Sequence, residues 1–164
     1  MIEIINKFLT NKEIDYLITE TEKSSWKLSG YSNNSTSKNF WFKDIINTEA
    51  LTLFTNKIQH GIGHKIVIDH LYVNGQAHGQ CGEWHIDNYN KPAINCFTIV
   101  YFLKEWLPEY GGHLLIKTSP ITSILPEFNK AVLFDGTFEH VGLEPTMHCK
   151  SQRESIGCKF RVID

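Results

Sequence analysis

Ile94-Asn95-Cys96-Phe97-Thr98-Ile99-Val100-Tyr101-Phe102-Leu103 is a long β-branched and aromatic run, and it reads as a strand. The same texture fills 65–73, and shorter stretches follow at 82–86, 113–117, 121–125, 131–134, 138–141 and 155–163. Gly75, Gly79, Pro92, Gly111-Gly112, Pro120, Pro126, Gly136 and Pro145 punctuate them. Upstream the periodicity is helical. Thr10 with Glu13 three residues on forms a capping box, after which Ile14, Leu17, Ile18 and Thr21 fall on one face. A second helix is predicted over 48–59, with Leu51, Phe54 and Ile58 on its buried side. The Ser-, Asn- and Gly-rich stretch 29–39 reads as a loop, with Tyr31 and Phe40-Trp41-Phe42 placed either in the core or beside a cleft.

Two helices followed by about eight strands with no helix between them exclude an alternating α/β fold. The expected class is α+β, mainly β: a jelly roll whose two sheets enclose a site, with the N-terminal helices packed outside. One domain over 1–164 is expected, its helical part about 1–62 and its jelly-roll core about 64–164.

His85 and Asp87 fall two apart in this β-rich region, so in an extended segment they share a face. A histidine from a distant strand, His140, would complete a two-histidine, one-carboxylate set with open coordination positions. That donor set suits non-haem Fe(II), whereas structural zinc sites are closed and richer in thiolate.

The bulk numbers set the context for this chemistry. A chain of 164 residues with 41% hydrophobic content can bury a core without staples. No apolar run reaches the about 18 residues that cross a bilayer, so no membrane association is expected. A net charge of -2 lends nothing to phosphate-backbone binding, so nucleic acid is not an expected partner. The four cysteines, at 81, 96, 149 and 158, form no CxxC pair, and the first residues lack a secretory pattern. Free thiols and a cytoplasmic location are therefore expected. The oligomeric state stays open.

The region around His85 resembles the 2-oxoglutarate and Fe(II)-dependent dioxygenases, in particular the compact prolyl 4-hydroxylase-like branch. Gly82-Glu83-Trp84-His85-Ile86-Asp87 is similar to the HxD segment, and Tyr101-Phe102-Leu103 to the strand after it. Glu109-Tyr110-Gly111-Gly112-His113-Leu114 resembles the double-glycine turn, Lys130 to Gly136 the approach to the distal His140, and Arg153-Glu154-Ser155-Ile156 the Arg-x-Ser anchor. Two features depart from the pattern: His113 stands where an acidic residue is usual, and the His140-to-Arg153 interval is longer than the commonest one.

The resemblance implies a double-stranded β-helix in which His85, Asp87 and His140 hold Fe(II). It implies that 2-oxoglutarate chelates the metal while its far carboxylate meets Arg153, helped by Ser155 and Tyr72, with ascorbate as a reductant. Lys150 is the alternative anchor, but Arg153 offers a planar fork that matches a carboxylate. The implied reaction hydroxylates a carbon of a peptide (including a prolyl residue) or of a small molecule, releasing succinate and CO2. Trp41, Trp84, Tyr89, Asn90 and the 29–39 loop are candidates for the substrate mouth. The rival readings are a cupin-like metalloenzyme without cosubstrate and a non-catalytic jelly-roll binding module.

Overall fold

Two antiparallel sheets organise the computed structural model, which describes residues 1–32, 38–87 and 95–163. Along the chain come β1 (Ile2–Asn6), α1 (Asn11–Glu22), β2 (Lys27–Gly30), β3 (Phe40–Asp44), α2 (Thr48–Ile62), β4 (Ile66–Gln76) and β5 (Cys96–Phe102). After a 3-10 turn at Pro108–Tyr110 follow β6 (Leu114–Ile116), β7 (Thr122–Ile124), β8 (Lys130–Asp135), β9 (His140–Gly142) and β10 (Arg153–Val162). The larger sheet runs β1-β8-β5-β10-β4-β3-β2 and the smaller one β7-β6-β9.

Period-two alternation assigns each face of the larger sheet a different task. On β10, Ile156, Cys158 and Phe160 join Leu71, Val73, Ile99, Tyr101 and Leu133 in the main core. The helices seal that face with Ile14 and Leu17 of α1 and Ala50, Phe54 and Ile58 of α2. Each of the Leu, Ile, Val and Phe side chains contributes about 1.5–3 kcal/mol by leaving water. The alternate residues of the same strands point the other way, towards the smaller sheet. There Phe102, Leu114, Ile116, Ile124, Val132 and Phe134 close one end of the interlayer space, and the rest stays open as a cavity.

The caps act as the sequence reading anticipates. Thr10 accepts from the Glu13 amide while the Glu13 carboxylate accepts from Thr10, and α2 starts on Asn47, whose side chain accepts from Glu49 and Ala50. Ile18 is an exception, since it is exposed at one edge of the α1 face. In α2, Ala50 takes the fully buried place expected for Leu51, which is only partly buried against the core.

Three strands fall where the sequence reading has helix or loop. β1 lacks alternation and forms only by pairing with β8, from Ile2 opposite Phe134 to Asn6 opposite Lys130. β2 and β3 extend the other edge of the sheet, and β2 takes up the start of the predicted 29–39 loop. Residues 82–86 form no strand. A single bridge, His85 to His140, attaches this segment beside β9.

Asn129 ties the N-terminal segment to the sheet. Its backbone is left-handed (φ 57) and its side chain is buried. Oδ1 accepts from the Leu9 amide at 2.9 Å and from the Tyr101 hydroxyl at 3.3 Å, and Nδ2 donates to the Leu9 carbonyl at 2.8 Å. Asn129→Ala strands those groups and places alanine in a left-handed turn, so it should cost about 2–3 kcal/mol. A urea midpoint lowered at unchanged slope is the expected reading.

Candidate metal and cosubstrate site

The register of β4 against β10 lays the cavity floor in rungs. Gln76 stands opposite Arg153, Asn74 opposite Ser155, Tyr72 opposite Gly157 and His70 opposite Lys159. All eight residues line a cavity of about 480 Å³. At Gly157 a Cβ would sit 2.4 Å from Tyr72 Cζ, so the absent side chain lets the tyrosine ring lie across the floor. Phe42 stacks on that ring at 5.6 Å between centroids, and His70 lies 4.6 Å away.

His85 and His140 face each other because their backbones exchange two hydrogen bonds, of 3.1 and 2.9 Å. Their ring centroids are 4.3 Å apart. Each ring is also held from behind, His85 Nδ1 donating to the Glu83 carbonyl at 2.8 Å and His140 Nδ1 to the Phe138 carbonyl at 3.0 Å. With Nδ1 as the N–H, both Nε2 lone pairs are presented to the cavity. Burial lowers the His140 pKa and keeps the ring neutral, against the pull of Asp87.

Asp87 closes the set. Its oxygens lie 4.0 Å from His85 Nε2 and 3.8 Å from His140 Nε2, and the three ligand atoms fall within 4.8 Å of one another. Burial opposes the Asp87 charge, but Lys159 and His140, with the Thr98 hydroxyl bonded to Oδ2, hold its pKa below the ordinary range. Oδ1 is buried and ion-paired to Lys159, whose Nζ lies 2.7 Å away. A buried carboxylate converging with two imidazole lone pairs, and with no thiolate, fits Fe(II).

At the far end of the floor, Arg153 is buried with no carboxylate paired to it among the described residues. Nε donates to the Gly112 carbonyl at 2.6 Å, and Nη1 to Gln76 Oε1 at 3.0 Å and Ser155 Oγ at 3.3 Å. Burial brings the guanidinium pKa down to about 10, with Cys81 the one ionisable group acting the other way. A desolvated cation held only by neutral groups lacks its anion. The double-glycine turn has its reason here: at Gly112 (φ 71) a Cβ would lie 2.9 Å from Arg153 Cδ.

The other candidates separate clearly. Lys150 is exposed and does not line the cavity, which leaves Arg153 as the cation at its back. Tyr72 lines the floor one rung from Ser155. Of the proposed mouth residues, Ser29, Gly30, Tyr31 and Ser32 line the cavity, joined by Phe40 and Phe42, and Trp41 and Trp84 do not; residues 33–37 of the loop, Tyr89 and Asn90 lie outside the described residues. His113 is half-buried away from the cavity, and its carbonyl accepts from Leu143. His78 is bonded to the Pro145 carbonyl, and His148 belongs to no ligand cluster among the described residues.

Thr98, Gln76 and Lys159 were not anticipated. Thr98 had a signal, as the one hydroxyl-bearing residue on the cavity side of an otherwise apolar β5. Thr98→Val should weaken Fe(II) binding about 10- to 100-fold through loss of its bond to Asp87. Metal titration under anaerobic conditions reads this, and an unchanged affinity would remove Thr98 from the site.

The family model described as the 2OG-Fe(II) oxygenase superfamily matches residues 70–161. The chain belongs to this superfamily. The oxygenase accordingly works with Fe(II) and 2-oxoglutarate. Its fold is shared by a prolyl hydroxylase from Trichoplax adhaerens in complex with a hypoxia inducible factor peptide fragment (TM-score 0.76, 19% identity, 98% of this chain and 83% of the other covered). It is shared by the viral collagen prolyl hydroxylase of Paramecium Bursaria Chlorella virus-1 in its 2-oxoglutarate complex (0.72, 20%, 99% and 96%). HygX from Streptomyces hygroscopicus, with nickel, 2-oxoglutarate and hygromycin B bound, also shares it (0.72, 7%, 98% and 82%). No curated protein matches the oxygenase. Among the described residues, no helix is long and apolar enough to cross a membrane.

Proposed function

We propose that the oxygenase hydroxylates a carbon of a peptide or small-molecule substrate, with His85, Asp87 and His140 as the Fe(II) ligands and Arg153 as the anchor of 2-oxoglutarate. The observation that carries this reading is the buried Arg153, without a carboxylate partner among the described residues, in the same cavity as the three converging ligand atoms. A cupin-like enzyme without cosubstrate has no use for such a cation, and a binding module has none for the ligand set.

Bound Fe(II) supplies the redox chemistry by which one atom of O2 enters succinate, as CO2 leaves, and the other replaces a substrate C–H by C–OH. The chain's own residues provide placement. Gln76, Ser155 and the Gly112 carbonyl hold the guanidinium so that its fork can meet the far carboxylate of 2-oxoglutarate. Ser155 adds a hydroxyl to that pocket, and Tyr72 forms its floor towards the mouth. Thr98 orients Asp87, and the tethered Nδ1 atoms keep both histidines in the ligating tautomer. Val100 and Leu114 contribute apolar walls that limit water.

Fold likeness to peptide-bound and hygromycin-bound oxygenases supports both substrate sizes. The test adds Fe(II) and 2-oxoglutarate without oxygen. A visible metal-to-ligand charge-transfer band, followed in air by succinate release, is expected; absence of the band would end this reading.

A further inference from the structure

We propose that the substrate carries a carboxylate and that Lys159 receives it, so that the natural substrate is a small carboxylic acid such as a free amino acid. This rests on the oxygenase reading above and names its substrate class. Lys159 points into the cavity from the same face of β10 as Arg153, six residues further along, about 20 Å away at roughly 3.3 Å per residue. The two cations therefore serve opposite ends of one cavity. Lys159 Nζ lies 2.7 Å from Asp87 Oδ1 and 5.6 Å from the Tyr72 ring centroid, with its side chain only 19% exposed.

Charge balance decides what the front end lacks. Among the described lining residues, Asp87 is the one carboxylate, against Arg153 and Lys159. The segments 33–37 and 88–94 contain no acidic residue. A divalent metal and the 2-oxoglutarate dianion cancel each other, and Arg153 and Asp87 do the same. Lys159 is left over. A metal on Asp87 also draws on the carboxylate that now pairs with Lys159, which frees the ammonium to meet an anion arriving from the mouth. The wall beside it is aromatic, with Phe42, Tyr72 and His70 in mutual contact. A carboxylate attached to a compact apolar body complements both features. The His70 ring is itself paired to Asp44 at 2.8 Å and faces Lys159 across the β4–β10 register, so it does not supply the missing anion.

The experiment uses the anaerobic Fe(II)–2-oxoglutarate protein and titrates free L-amino acids, their carboxamides and capped dipeptides, reading the perturbation of the charge-transfer band. At least one free acid should bind about ten- to hundredfold tighter than its amide. In Lys159→Met that acid-to-amide ratio should collapse towards one, and Lys159→Arg should restore it in part. Because the ratio is taken within each variant, a general change at the metal cancels. If amides or capped peptides bind as well as acids, if no acid binds, or if the ratio survives in Lys159→Met, the proposal is overturned. A missing band in the wild type would instead sink the oxygenase reading itself.

Discussion

Arg153→Ala raises the dissociation constant for 2-oxoglutarate by about two to four orders of magnitude, corresponding to the about 3–5 kcal/mol lost when one partner of a buried charge pair is removed. The expectation follows from the isolation of this side chain. Its hydrogen bonds go to a carbonyl, an amide and a hydroxyl, and none of these neutralises it. Arg153→Lys should recover only part of the affinity, because an ammonium cannot match both carboxylate oxygens at once. Without cosubstrate the sign differs. Arg153→Met removes a desolvated cation, so the protein lacking 2-oxoglutarate should be as stable as wild type or slightly more so. Anaerobic titration of 2-oxoglutarate into the Fe(II) protein measures the first effect and urea unfolding the second. A loss of affinity below tenfold would move the anchor away from Arg153.

The parts of this architecture that depend on local pattern could be read from the chain. Capping at Thr10, the α2 face around Phe54 and Ile58, and most strands of the core are set by neighbours close in sequence. β1 could not be read, since Ile2–Asn6 becomes a strand only against β8 at the other end of the chain. Segment 82–86 misled for the opposite reason: it has strand composition, but its backbone meets β9 only through the His85–His140 bridge and one bond from the Gly82 amide to the Gly142 carbonyl. The face-sharing expected of His85 and Asp87 as strand neighbours is thus supplied by one bridge and by Thr98 and Lys159, which grip Asp87 from β5 and β10. Residues embedded in a resembled motif, His85, Asp87, His140, Arg153 and Ser155, all line the same cavity. Gln76, Thr98 and Lys159 were not legible in the sequence, because each acts through cross-strand register. Lys159 stands opposite Thr98 on one side and His70 on the other, a relation no sequence window contains.

Asp87→Asn gives the other large effect. The substitution keeps the shape and removes the anion, and its amide NH2 would meet either the Thr98 hydroxyl or the Lys159 ammonium, both donors now. Fe(II) affinity should fall at least about 100-fold, by the same loss of a buried charge partner, and succinate formation should drop to background. The acid limb of stability changes as well. The folded Asp87 pKa lies below the unfolded value of about 3.9. Its ionised form therefore stabilises the metal-free wild type above that value, and the contribution is lost as pH falls through the lower folded pKa. Asp87→Asn has no such contribution to lose, and it leaves Lys159 without its counter-ion at neutral pH. The variant should therefore be less stable than wild type near pH 7, and the difference should shrink towards pH 3. Unfolding curves of the metal-free proteins across that range measure this; a difference independent of pH would show that folding leaves the Asp87 pKa unshifted, and one that moves against wild type as pH rises above about 4 would show that the carboxyl is protonated in the folded protein and unfit to hold a metal.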